Sequence, residues 1–120
     1  PAIQYVLAKV YRKGLGLAKN EQVAFAWYKQ AAENGYAKAQ TMVGYLYQIG
    51  GGTTKSPQQA AKWYTQAAEQ GESMALFNLG NLYLIGEGVN QDEAKARELL
   101  QKAAVQGNRQ ARQVLKTMED

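Results

Sequence analysis

The chain has 120 residues, 46% hydrophobic and 20% charged with only two prolines, a balance that specifies a folded chain of one domain. It contains neither cysteine nor histidine, which excludes disulfides, thiolate or imidazole metal sites, and every Ser–His or Cys–His nucleophilic arrangement. Its 14 basic and 10 acidic residues leave a net charge of +4, too small for a nucleic-acid footprint, and no apolar run approaches the ~20 residues that cross a bilayer. No secretory-leader pattern is present, and Pro1 in place of an initiator Met predicts a chain processed or cut from a longer protein.

In chain order, Ile3, Leu7, Val10 and Tyr11 fall on one helical face and predict a helix over 3–13. Gly14-Leu15-Gly16 turns the chain. Asn20 then offers a side-chain oxygen to the free N–H groups of a second helix, which stops at Gly35. The order recurs. Ala39, Val43, Leu46 and Tyr47 predict a helix over 38–49, followed by the corner Gly50-Gly51-Gly52 and the cap Ser56. Pro57 takes the first helical position, Gln59 is placed to complete a capping box, and Gly71 ends the helix. A third pass gives a helix over 74–85 with Ala75, Leu79, Leu82 and Tyr83 on its face. The corner Gly86-Glu87-Gly88, the cap Asp92 and the stop Gly107 follow. A terminal helix over 109–118 starts the pattern again, since Ala111 and Leu115 match Ala75 and Leu79. Lys116 replaces the small Gly80 there, so the helix reads as a polar C-terminal cap or as the point where the chain was cut.

The offset is 36 residues without gaps, giving units at 1–36, 37–72 and 73–108. Ala8, Gly44 and Gly80 put a small residue inside each first helix. A helical glycine costs about 1 kcal/mol against alanine, so a neighbouring backbone is expected to come close there. Trp27–Tyr28 and Trp63–Tyr64, with Leu99–Leu100 in the third unit, are expected to fill the space between the two helices. The pairs Ala31–Ala32, Ala67–Ala68 and Ala103–Ala104 are expected to let the next unit dock. One helix pair cannot bury both of its faces, so the units must stack into an all-α solenoid.

The pattern A-x-x-x-[LV]-G-x-x-Y…G-x-G…[DSN]-x-x-x-A-x-x-W-Y-x-x-A-A-x-x-G resembles the Sel1-like repeat, a relative of the tetratricopeptide repeat. The third unit carries it as Ala75, Leu79–Gly80, Tyr83, Gly86-Glu87-Gly88, Asp92, Ala96, Ala103–Ala104 and Gly107, and the second supplies Trp63–Tyr64. Ala8 and Ile3 depart from it in the first unit, and Leu99–Leu100 in the third. The 36-residue period and double-glycine corners favour this family over the 34-residue tetratricopeptide repeat. The resemblance covers nearly the whole chain. It implies a right-handed α-solenoid of helix pairs with the first helices lining the concave side, and an adaptor or scaffold role. It also implies a bacterial source, in the periplasm, cell envelope or medium, with the cytoplasm as the alternative. Penicillin or cell-wall binding, linked to related cysteine-rich members, does not carry over to a chain without cysteine.

The residues offer little for catalysis, and no enzyme, cofactor or metal is expected. Glu33 and Glu69 recur at one repeat position but near helix ends, as solvated charges. The Gly-x-Gly corners follow helices, whereas a dinucleotide loop follows a strand. Tyr11, Tyr47 and Tyr83 recur in register and read as packing. The informative positions are those that differ between units beside the shared apolar face: Tyr5, Thr41 and Phe77; Lys9, Tyr45 and Asn81; Arg12, Gln48 and Leu84. They predict a partner-binding face for a protein or peptide, with Lys9 and Arg12 suiting mildly acidic or amide-rich segments. The alternative is a small ligand or cell-wall glycan stacked on Tyr5, Tyr45 and Phe77. Apolar solenoid ends also predict pairing into a homodimer. No nucleic-acid partner and no membrane insertion are expected.

Overall fold

The computed structural model describes residues 1–14 and 19–119; Leu15 and Gly16 of the first corner lie outside the described residues. Among the described residues seven helices follow one another: α1 (Ala2–Lys13), α2 (Glu21–Glu33), α3 (Ala37–Ile49), α4 (Pro57–Glu69), α5 (Ser73–Ile85), α6 (Glu93–Val105) and α7 (Arg109–Glu119). They form an all-α repeat solenoid of three 36-residue helix pairs and a C-terminal helix. The first helix of each pair begins one residue earlier than its apolar pattern shows, because Pro1, Tyr36 and Glu72 at the N-cap positions are not the usual capping residues.

The second helices start where the caps place them. Asn20 Oδ1 accepts from the Val23 N–H at 3.0 Å, Ser56 Oγ from Gln59 at 3.3 Å, and Asp92 Oδ1 from Lys95 at 3.0 Å. The backbone N–H of each cap also donates to the carbonyl of Tyr11, Tyr47 or Tyr83, at 2.9, 2.8 and 2.9 Å, which closes every corner onto the preceding helix. Gly50 and Gly86 end α3 and α5 in the left-handed region, at φ +76° and +73°. The later glycines, Gly52 and Gly88, do something further. A Cβ on either would run into the backbone carbonyl of Glu21 or Pro57, at the start of the preceding unit's second helix. The double glycine therefore joins one unit to the next as well as turning the chain.

Within a unit, Tyr28, Tyr64 and Leu100 are fully buried between the two helices. Gly44 and Gly80 make room for them. A Cβ on Gly44 would stand 2.7 Å from the Tyr64 ring and 3.2 Å from the Ala60 carbonyl, and one on Gly80 would stand 2.9 Å from Leu100 Cγ. The expected close backbone is thus second to the partner side chain. The tryptophans do not share the tyrosines' place. Trp27 and Trp63 lie half-buried against the cluster formed by α1, α2 and α3, so Trp63 fills a junction between units. Between units, Gln70 Nε2 donates to the Gly35 carbonyl at 3.0 Å and Gln106 Nε2 to the Gly71 carbonyl at 2.9 Å. At the C-terminal end Ala111 is buried, with Val114, Leu115 and Met118 packed on the second cluster, while Lys116 is exposed.

Candidate functional site

The repeat register sets α1, α3 and α5 side by side, and a groove of about 370 Å³ runs across them. Tyr5 of α1 and Thr41 and Tyr45 of α3 line it. Lys38, Met42, Met74 and Asn78 complete its walls, and Glu72 stands at the start of α5. Tyr5 is anchored from beneath: its ring meets Tyr28 edge-on at 5.6 Å and Tyr36 at 5.2 Å. Burial, then the neighbouring Tyr36 and the Glu72 charge, push the Tyr5 hydroxyl above its ordinary pKa, so it is a neutral donor at physiological pH.

Two cations lie over the aromatic rings, Lys9 Nζ at 5.4 Å from the Tyr5 centroid and Arg12 at 5.9 Å from that of Tyr45. The Glu72 carboxylate is already engaged. It caps α5 by accepting from the Met74 N–H at 3.2 Å, and it accepts from the Thr41 hydroxyl across the groove. That bridge ties α3 to α5 and fixes the groove's width. Lining the groove are Tyr5 and Tyr45, a Met pair and the Asn78 amide, with Lys38 on its wall and the cations Lys9 and Arg12 over the rings. Such a surface suits recognition, and the Thr41 hydroxyl beside the Glu72 carboxylate serves the bridge between the helices. Among the described residues, no group of three or more Asp or Glu stands ready for a metal ion.

The predicted site residues divide. Tyr5, Thr41 and Tyr45 come together, and Lys9 and Arg12 border them through the rings. Gln48 is turned inward, where its Oε1 accepts from the Tyr64 hydroxyl at 2.7 Å. Phe77 packs against the buried cluster of the second and third units. Asn81 and Leu84 are half-buried further along α5. Sequence reading missed Lys38, Met42, Glu72, Met74 and Asn78. The signal was there for four of them: the columns Ala2, Lys38, Met74 and Val6, Met42, Asn78 also differ between units.

The Sel1 repeat model matches residues 1–36, 37–72 and 73–108, the three units already drawn from the helices. The chain belongs to the Sel1 repeat family. Among solved structures it is similar to a Sel1 repeat protein from Oxalobacter formigenes, at 37% identity and TM-score 0.90 over 97% of this chain and 87% of that one. It is similar also to c5321, a protective antigen of uropathogenic Escherichia coli with an SLR fold, at 37% identity and TM-score 0.90 over 92% of this chain and 24% of that one. Helicobacter pylori cysteine rich protein B shares the fold, with TM-score 0.78 at 24% identity over 95% of this chain and 92% of that one. Among curated proteins none matches the chain.

Proposed function

We propose that this Sel1 repeat chain is a protein-interaction scaffold that holds a partner segment in the groove across α1, α3 and α5. Scaffolding is the typical role of the Sel1 repeat fold. The observation that carries the groove is the exposure of Tyr45, 38% open to solvent beside the fixed Thr41–Glu72 bridge. A rigid, half-open aromatic ring gives contact area at little entropic cost, as binding anchors do. Lys9, Arg12 and Lys38 around it favour a segment with acidic or amide side chains. A glycan reading would need Phe77 as a third stacking ring, and Phe77 is half-buried against the cluster of the second and third units, away from the groove lining.

The test is a peptide-display selection against the chain, followed by affinity measurements on the selected peptides. Tyr45→Ala with Lys38→Glu touches only exposed positions, so helicity by circular dichroism should be unchanged. Affinity should fall by ~10-fold or more, as for an aromatic anchor. Peptides that bind the double variant as well as the parent would show that this groove is not the site.

A further inference from the structure

A second depression lies on the other helices, between α4 and α6 with α5 as its floor. It measures about 210 Å³. Leu76, Leu79, Tyr83 and Leu99 form the apolar bottom, and Thr65 stands at the rim. Its origin is legible in the repeat. Thirty-six residues earlier, the position of Leu99 is Trp63, whose ring is packed into the junction between the first two units. The position of Leu76 is Gln40, and that of Lys102 is Gln66. Gln40 is buried there. Its Nε2 donates to the Ala32 carbonyl at 3.2 Å and reaches Gln66 Oε1 at 3.5 Å, and its Oε1 accepts from Gln70 at 2.9 Å. The later junction has lost both the indole and the amide chain. Interiors are close-packed, so a leucine in place of the indole leaves a shallow depression over Leu76, Leu79 and Leu99, each 3–5% exposed.

We propose that this hollow receives a tryptophan side chain presented by a partner protein segment, the partner's ring taking the place that Trp63 fills in the preceding junction. The rim suits an indole. Glu69 and Glu98 are acceptors for its N–H, and Lys95 and Lys102 are cations for its face. Lys102 pairs with Glu98 at 3.4 Å in an exposed ion pair that is readily exchanged for a ligand contact. The hollow also continues past Ala68 and Lys102 to Val105, which is 86% exposed. That apolar shelf gives a place to the residue next to the tryptophan, so the occupant is a peptide segment rather than a free ring. The site is independent of the groove across α1, α3 and α5.

The test is a methyl NMR titration with three probes: N-acetyl-Trp-Val-amide, N-acetyl-Leu-Val-amide and indole. The Leu76, Leu79 and Leu99 methyls should shift with the tryptophan peptide. It should bind ~10-fold or more tightly than either other probe, a factor worth one decade in Kd. Leu99→Trp restores the internal ring and should abolish binding. Thr65→Phe closes the rim from an exposed position without entering the core, and should abolish it too if Leu99→Trp disturbs the fold. Tyr45→Ala should leave the titration unchanged. No methyl shifts, equal affinity for the leucine peptide or indole, binding that survives the filled hollow, or binding lost with Tyr45→Ala would each overturn the proposal.

Discussion

Gly88 and Gly107 have the same left-handed backbone, φ +75° and +93°, in different surroundings. A side chain on Gly107 would meet open space, whereas one on Gly88 would strike the Pro57 carbonyl. Gly107→Ala should therefore cost only the left-handed strain, about 1–2 kcal/mol. Gly88→Ala should cost at least ~2 kcal/mol more, because backbone at the unit junction must move. Urea unfolding of both variants checks this, and equal losses would mean that the corner does not hold the units together. Buried tyrosines set a second residue-scale property. Burial and then the neighbouring Tyr5, opposed by the Arg12 charge, push the Tyr28 hydroxyl up to about 12, and burial raises Tyr64 as well. Below the ordinary value of 10.0 both folded and unfolded chains keep the proton and stability is complete. Between there and about 12 the unfolded chain loses the proton first, so stability falls as pH rises, by about 1.4 kcal/mol per pH unit per tyrosine. Unfolding at about pH 8 and about pH 11 should show that loss, and Tyr28→Phe should lessen it. An unchanged slope in the variant would place the alkaline sensitivity elsewhere.

At the scale of the helix, the elements could be read from the sequence because each boundary has a local cause repeated three times. Asn20, Ser56 and Asp92 cap where they stand, and the glycines stop where they stand. The site was legible only in part, for a reason visible in one column. Arg12, Gln48 and Leu84 differ between units, which suggested an open face. Yet Gln48 is spent within its own unit, where its Oε1 accepts from the Tyr64 hydroxyl, and the third unit, with Leu100 at that position, has Leu84 in its place. Arg12 likewise acts on Tyr28 while it lies over Tyr45. Variation between repeats marks a surface only where the varying side chains are not engaged within the fold. Tyr45 passes that condition, and so do Lys38 and Met74, two turns nearer the helix start, where the apolar pattern gave no reason to look. Glu72 was hidden because an N-cap position reads as a boundary, although its carboxylate spans the groove to Thr41.

Across the whole molecule the principal contacts join helices adjacent in sequence, within units and between them, in a shape of 47 × 27 × 22 Å. Stability in such an array is a sum over units and nearest-neighbour junctions, so a helix with one neighbour is held less firmly than one with two. The two ends differ. At the C-terminal end α7 covers the third unit and turns Arg112, Gln113, Lys116 and Thr117 to solvent. At the other end α1 keeps an interior pattern that no other described helix covers: Ala39 and Ala75 are wholly buried beneath the preceding unit, whereas Ile3 at the same position is 77% exposed. The middle helices α3, α4 and α5 carry three of the five largest fully buried side chains, Val43, Tyr64 and Leu82. Opening should therefore begin at α1 and spread inward, with α4 and α5 last. Hydrogen exchange read by mass spectrometry should show α1 amides exchanging ~10-fold or more faster than those of α5, with α7 between. Adding charge with Ile3→Lys should leave the α5 rates unchanged, since that side chain supports no junction. Uniform exchange along the chain would instead mean that the three units open together, with the double-glycine corners and the Gln70 and Gln106 bridges coupling them as one block.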